Sequence, residues 1–134
     1  MSTFRLEIVT PERKVYDHDV NMIVVEGVEG QLGILPNHIP LLTPLKISPV
    51  RIKTDGREEE VVALGGGFME VRKDKVVILA ETAELPSDID LSRAEEAKRR
   101  AESRLLHLDE YDAVRAELAL KRAVNRINVA SHKH

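Results

Sequence analysis

Residues 81–94, Glu81-Thr82-Ala83-Glu84-Leu85-Pro86-Ser87-Asp88-Ile89-Asp90-Leu91-Ser92-Arg93-Ala94, hold the last proline of the chain, and no glycine follows it either. All seven glycines (27, 30, 33, 56, 65, 66, 67) and the earlier prolines (11, 36, 40, 44, 49) lie before that point. Glycine and proline are tolerated least in helix interiors and used most in turns. The chain therefore divides into a turn-rich part, 1–85, and a helical part, 86–134. Charge divides at the same place, with ten basic and fourteen acidic residues before Pro86 and ten and nine from it onward.

Upstream, Phe4, Leu6 and Ile8 alternate with Arg5 and Glu7, the period of two that marks a half-buried strand. Val20, Met22 and Val24 alternate in the next stretch, Val50 and Ile52 alternate with Arg51 and Lys53, and Val62 and Leu64 follow the acidic run 58–60. Residues 68–71 and 76–80 read as two further strands. Asp55-Gly56, within 53–57, predicts a hairpin with a primed turn. Gly65-Gly66-Gly67 lacks the spacing and the following Lys-Ser/Thr of a phosphate-cradling loop. Between two strands it predicts a bulge or a close backbone approach. Many short strands with Gly/Pro turns predict an antiparallel β-sandwich or flattened barrel, and with the helical part the fold class is α+β.

Downstream, Ala94, Ala97, Ala101, Leu105 and Leu108 recur at helical spacing after the candidate caps Asp88 and Asp90. The pattern breaks over 107–110, where Asp109 is a candidate second cap. A second stripe follows in Ala113, Ala116, Leu120, Ala123, Val124 and Ile127. Two helices with a short connection predict a helical hairpin. The first stripe is mostly alanine, so it buries little area at about 25 cal/mol per Å². The second helix carries another apolar edge, Val114 and Leu118. Either its two edges simply pack on the sandwich and the partner helix, or the pair has two alternative packings of similar free energy.

Composition narrows the function. The chain has 134 residues, 43% hydrophobic but only 3% aromatic, so its core is aliphatic. With no cysteine, disulfides, thiol catalysis and thiolate metal sites are excluded. No apolar run approaches the length of a membrane span and no signal peptide is recognisable, so a soluble internal protein without direct membrane insertion is expected. A net charge of −3 argues against nucleic-acid binding. The five histidines show no ligand spacing, and His132 and His134 read as part of a frayed tail, so no metal is expected. A hydrolase built on His18 or His38 would lack a nucleophile, and no enzyme is expected.

One cationic pattern remains. Arg93, Arg100 and Arg104 follow one edge of the alanine stripe, and Arg122 and Arg126 are neighbours on the second helix. If the helices are antiparallel, Arg93 approaches Arg122 and Arg126, and converging guanidiniums suit a polyphosphate. Asp90 would then accept from a ribose or base donor, or simply cap its helix. A solvated charged face is the other reading of the same spacing.

Residues 30–42, Gly30-Gln31-Leu32-Gly33-Ile34-Leu35-Pro36-Asn37-His38-Ile39-Pro40-Leu41-Leu42, resemble the segment G-E-L-G-I-x-P-G-H-x-P-L-L of the epsilon subunits of bacterial F-type ATP synthases. Gly66-Gly67-Phe68-Met69-Glu70-Val71 resembles that family's G-G-F-x-E-V, and Ile89-Asp90-Leu91-Ser92-Arg93-Ala94 its I/L-D-x-x-R-A nucleotide motif. Ala116-Glu117-Leu118-Ala119 and Lys121-Arg122-Ala123 also fit, so the resemblance runs through the chain in order. Gln31 and Asn37 replace the family's usual glutamate and glycine; asparagine accepts the left-handed backbone that such a turn needs.

The resemblance implies a non-catalytic rotor subunit of a proton-translocating ATP synthase. A sandwich over 1–85 would bind the gamma subunit and the polar loops of the c-ring, with Gln31 and His38 as contact candidates. A hairpin over 86–134 would regulate. Folded on the sandwich it permits turnover; extended along gamma into the alpha/beta catalytic hexamer it blocks ATP hydrolysis. It further implies ATP as a regulatory, unhydrolysed ligand at Glu84, Ile89, Asp90, Arg93, Ala94, Arg122 and Arg126, with Arg100 a weaker addition. The expected location is peripheral, on the cytoplasmic side of a bacterial plasma membrane. A sandwich interaction module with a static helical appendage and no nucleotide role is the alternative.

Overall fold

A computed structural model describes residues 2–107 and 112–132. Eight strands come first: β1 (Phe4–Val9), β2 (Lys14–Val20), β3 (Met22–Gly27), β4 (Gly30–Ile34), β5 (Leu41–Lys53), β6 (Glu60–Val71), β7 (Lys75–Ala80) and β8 (Ala83–Glu84). A 3-10 turn, Pro86–Asp88, then leads into α1 (Leu91–Leu105) and α2 (Ala113–Ala130). The expected sandwich followed by a helical hairpin is the architecture found. The sheet order is β2-β1-β7-β6-β5-β3-β4, with β8 also pairing to β6. It is mixed rather than wholly antiparallel, because β1 runs parallel to β7.

β5 and β6 are the long spine, and each merges what the sequence reads as separate pieces. β5 runs through Pro44 and Pro49. Pro44 lies beyond Leu45, the last β3 partner, and Pro49 falls in the irregular stretch of that ladder. Those are the places where a sheet tolerates a missing donor. β6 runs unbroken through Gly65-Gly66-Gly67, where its neighbour changes from β8 to β7. A Cβ on Gly67 would collide with the Leu79 carbonyl, and one on Gly65 with the Thr82 hydroxyl. The close backbone approach expected of the triplet is thus its structural reason.

Two turns refine the expectations. Pro36-Asn37 joins β4 to β5 by a turn in which the His38 N–H donates to the Leu35 carbonyl at 3.3 Å. Asn37 sits at φ 64°, and proline followed by a left-handed residue is the type II pattern. The 53–57 turn is not a primed one: Gly56 has φ 79° but Asp55 does not share the positive sign. On β3, Ile23 and Val25 are the fully buried pair, while Met22 and Val24 are only half-buried. The alternation Val20-Met22-Val24 crosses from β2 into β3 at Asn21, and the facing changes there.

The core is aliphatic, with Leu6, Ile8, Ile23, Ile34, Ile52, Leu64 and Ile78 almost wholly enclosed. Residues 61–64 of β6 are buried on both faces. Val62 and Leu64 join the sandwich core, whereas Val61 and Ala63 cluster with Val129 of α2, and Ile89 packs against them. The hairpin therefore lies on the outer face of β6. The helices meet through alanine, with Ala94 and Ala101 buried on α1 and Ala116 and Ala123 on α2. Asp90 caps α1, accepting from the Arg93 N–H. Asp88 is not a helix cap: it ends the 3-10 turn and pairs with Arg13 at 3.3 Å. Asp112 caps α2, accepting from the Val114 and Arg115 N–H groups; Leu108, Asp109 and His134 lie outside the described residues.

Candidate functional site

β8 places Glu84 against the hairpin, where its Oε1 receives the Arg126 Nε–H at 2.5 Å, both side chains being largely covered. Arg122 stands one helical turn earlier on the same side of α2. Glu84, Arg122 and Arg126 line one crevice with Thr82 and Asn125. Its free volume is about 10 Å³, barely room for a water. A nucleotide would therefore have to lie over the outer surface of these side chains.

Asn125 is the residue that sequence reasoning missed. It is 8% exposed, and its Nδ2–H donates to the Leu64 carbonyl oxygen of β6 at 3.1 Å. It is flanked along α2 by Arg122 and Arg126, so the bond that fixes the helix on the sheet also fixes where both guanidiniums stand. One signal was available: asparagine is a poor helix former and needs a reason to occupy a helix interior.

The other motif residues divide by role. Ile89 packs beside Val129, so the start of α1 lies next to the end of α2 and the helices are antiparallel. Ala94 is buried. Both are packing residues. Asp90 uses its Oδ1 as the α1 cap, accepting from the Arg93 N–H at 3.1 Å. Arg93 and Arg100 are exposed and lie two turns apart, roughly 10 Å along the axis.

Two larger concavities adjoin this group. A groove of about 950 Å³ runs between α2 and the β5/β6 layer, lined in part by Leu45, Ile47, Phe68, Leu118 and Arg122. A second, of about 620 Å³, brings Arg104, Arg115 and Arg122 together beside Asp112. Arg122 lines all three spaces. Arg115 was not a sequence candidate; it becomes one because α2 turns it toward Arg122. Among the described residues no group of histidine and acidic side chains is placed to hold a metal.

Gln31 and His38 do not form one surface. Gln31 is exposed on β4 opposite Glu26, next to the turn that carries the exposed Val28. His38 lies beyond the other end of β4, its Nδ1 near the Ile39 carbonyl at 2.8 Å. Around it are the exposed side chains Leu35, Ile39 and Leu42. No helix of the described residues is long and apolar enough to cross a membrane.

Comparison with known proteins agrees with this architecture. The ATP synthase delta/epsilon chain beta-sandwich domain matches residues 3–86, and the delta/epsilon chain long alpha-helix domain matches 87–131. The chain is 62% identical to the ATP synthase epsilon chain of Alkalihalophilus pseudofirmus over 131 residues, covering 96% of this chain and 98% of that one. It is 55% identical to the epsilon chain of Halalkalibacterium halodurans over 132 residues, 97% of this chain and 98% of that one. A chain in the mitochondrial ATP synthase of Euglena gracilis, solved as an OSCP/F1/c-ring assembly, shares the fold with a TM-score of 0.83 at 21% identity. That match covers 98% of this chain and 83% of the other. On the two domain matches and these identities, the chain belongs to the ATP synthase delta/epsilon family, among its epsilon chains, which are non-catalytic stalk subunits of the rotary complex.

Proposed function

We propose that the chain is a central-stalk subunit of a proton-translocating F-type ATP synthase whose hairpin is an ATP-sensitive brake on hydrolysis. The sandwich would bind the gamma subunit and the polar loops of the c-ring, coupling rotation to the catalytic head. Gln31, near the start of β4, and His38, beyond its other end, would then serve different contacts. The hairpin would permit turnover when docked on the sandwich. Extended along gamma into the alpha/beta hexamer, it would oppose ATP hydrolysis. The subunit would be peripheral, on the cytoplasmic side of a bacterial plasma membrane.

One observation carries this reading: the hairpin is lightly held beside a cluster of arginines. Its contacts with the sandwich include a small cluster of Val61, Ala63 and Val129, the Asn125 bond to β6 and the Glu84–Arg126 pair with β8. The two helices meet mainly through alanine. A ligand that binds only the docked form adds RT ln(1 + [L]/Kd), about 2.7 kcal/mol at a hundredfold excess over Kd. That is enough to bias a closely balanced equilibrium. ATP phosphates would take the guanidiniums of Arg122 and Arg126, with Arg93 approaching from α1. Asp90 and Glu84 would accept from ribose or base donors. In the extended form the same arginines would meet acidic surface on a catalytic subunit.

Calorimetric titration of ATP into the isolated chain tests the ligand, and ATPase assays of the reconstituted complex test the brake. Saturable binding is expected, with Arg122→Ala and Arg126→Ala weakening both binding and inhibition. A generic anion effect alone, with inhibition unchanged in both variants, would leave the static-appendage module as the better reading.

A further inference from the structure

Asp55 and Gly56 stand exposed at the tip of the connection between β5 and β6. The Asp55 N–H donates to Asn21 Oδ1 at 2.7 Å, and the Arg57 N–H donates to the Thr54 carbonyl at 3.1 Å. The Asn21 bond holds the main chain on the N-terminal side of Asp55. Beyond that point nothing is engaged. Among the described residues the Asp55 carboxylate has no hydrogen bond or ion pair, and the Gly56 N–H has no acceptor. Gly56 has φ 79°, with no atom within 4 Å of the place a Cβ would take. An unpaired carboxyl carbon and an unpaired, unshielded amide nitrogen on the next residue can close a five-membered ring.

No other side chain of the described residues combines these features. Asp55 is the one aspartate of the chain that precedes a glycine. Asp17 and Asp19 pair with Arg5, Asp88 pairs with Arg13, and Asp90 and Asp112 are occupied as helix caps. Asn37, in the other left-handed turn, could form the same ring in principle, but the N–H that would attack, that of His38, is committed to the Leu35 carbonyl. Glu29-Gly30 is exposed as well, yet the longer glutamate side chain would need a larger and slower ring.

We propose that Asp55-Gly56 is a site of spontaneous covalent modification, converting through a cyclic imide to an isoaspartyl linkage. The Gly56 nitrogen attacks Asp55 Cγ in its carboxylic acid form. The new N–C bond forms as the carboxyl hydroxyl leaves with the amide proton as water. Water then reopens the ring. Attack at Cγ restores aspartate; attack at the main-chain carbonyl carbon breaks the original peptide bond and frees an α-carboxylate, with the chain now running through Cβ and Cγ. No oxidant or cofactor is needed, and the final product has the mass of the starting chain. The added backbone carbon falls between Asp55 and Arg57. The Asn21 bond can therefore persist, while the Thr54–Arg57 bond that closes the connection between the two longest strands is the one displaced.

Ageing of the purified full chain under warm, mildly acidic conditions tests the proposal. Samples are followed by intact mass, by electron-transfer fragmentation of peptides spanning 54–57, and by methyl acceptance from S-adenosylmethionine with an isoaspartyl O-methyltransferase. The wild type should pass through a species lighter by one water and accumulate methyl acceptance at Asp55. Asp55→Glu should lose both signals. Absence of the imide and of methyl acceptance at Asp55 in the wild type, or methyl acceptance that Asp55→Glu retains, overturns the assignment.

Discussion

Asn125 of α2 and Leu64 of β6 are joined by a hydrogen bond of 3.1 Å that is buried between the helix and the sheet. Leu64 also pairs with Ala83 of β8 and Ser48 of β5, so the bond ties the hairpin to the centre of the long strands. Truncating Asn125 to alanine strands the Leu64 carbonyl under the helix. Such a loss costs about 1–3 kcal/mol when the acceptor stays covered. Asn125→Ala should weaken docking by that amount while leaving the sandwich folded. Exchange of residues 61–64 should accelerate, with no change in β1, β7 or the buried face of β3.

The Glu84–Arg126 pair is expected to contribute little to docking. Its side chains are 28% and 30% exposed, and measured coupling for partly exposed pairs is about 0.2–1 kcal/mol. A double-mutant cycle of Glu84→Ala and Arg126→Ala on hairpin protection should return a value in that range. The same cycle on ATP affinity should not balance: Arg126→Ala should lose more than Glu84→Ala, because a guanidinium meets phosphate directly.

Gly67 and Gly56 both have positive φ but should respond differently to alanine. At Gly67 φ is 150° and a Cβ would strike the Leu79 carbonyl, so the β6–β7 contact must open. Gly67→Ala should cost about 3 kcal/mol or more. At Gly56 φ is 79° with no atom near the added Cβ, and the expected loss is about 1 kcal/mol from backbone strain alone. Urea unfolding midpoints of the two variants distinguish them.

The sandwich should lose stability at both extremes of pH through identifiable groups. The Asp17 carboxyl is held low by its hydrogen bond from Arg5, and Glu7 by its bond from Lys75. Their contribution is present above the ordinary carboxylate range and disappears as pH falls through the lowered values. The Tyr16 hydroxyl is pushed up by burial and by its bond to Glu60. Its contribution is present below the ordinary phenol range and disappears as pH rises through the raised value. Asp17→Asn should flatten the acid side of a stability profile and Tyr16→Phe the alkaline side, each leaving the other limb unchanged.

Much of this architecture is legible in the chain because local chemistry and tertiary packing agree there. The Phe4-Leu6-Ile8 alternation, the confinement of glycine and proline to the first part and the Asp90 cap all carry into the structure. What sequence reading missed depends on distant partners. β2 and β4 are edge strands with mixed facing, so their period is blurred. Prolines hide the continuity of β5 because only the position of β3 shows that they are tolerated. The split burial of 61–64 needs the hairpin in place to make sense. For the candidate site, the arginines and Glu84 were available from the resemblance. Asn125 was not, since its role is defined by Leu64 far along the chain, and Arg115 was not, since only the folded hairpin brings it beside Arg104 and Arg122.

The two-sided burial of β6 makes deletion of the hairpin a poor control. A shortened chain would present Val61 and Ala63 to water and leave the Leu64 carbonyl without Asn125, creating an adhesive strip where none was exposed. Aggregates or off-target association in such a preparation would mimic a change in regulation. Full-length proteins altered at single positions separate the loss of the brake from the damage left by its removal.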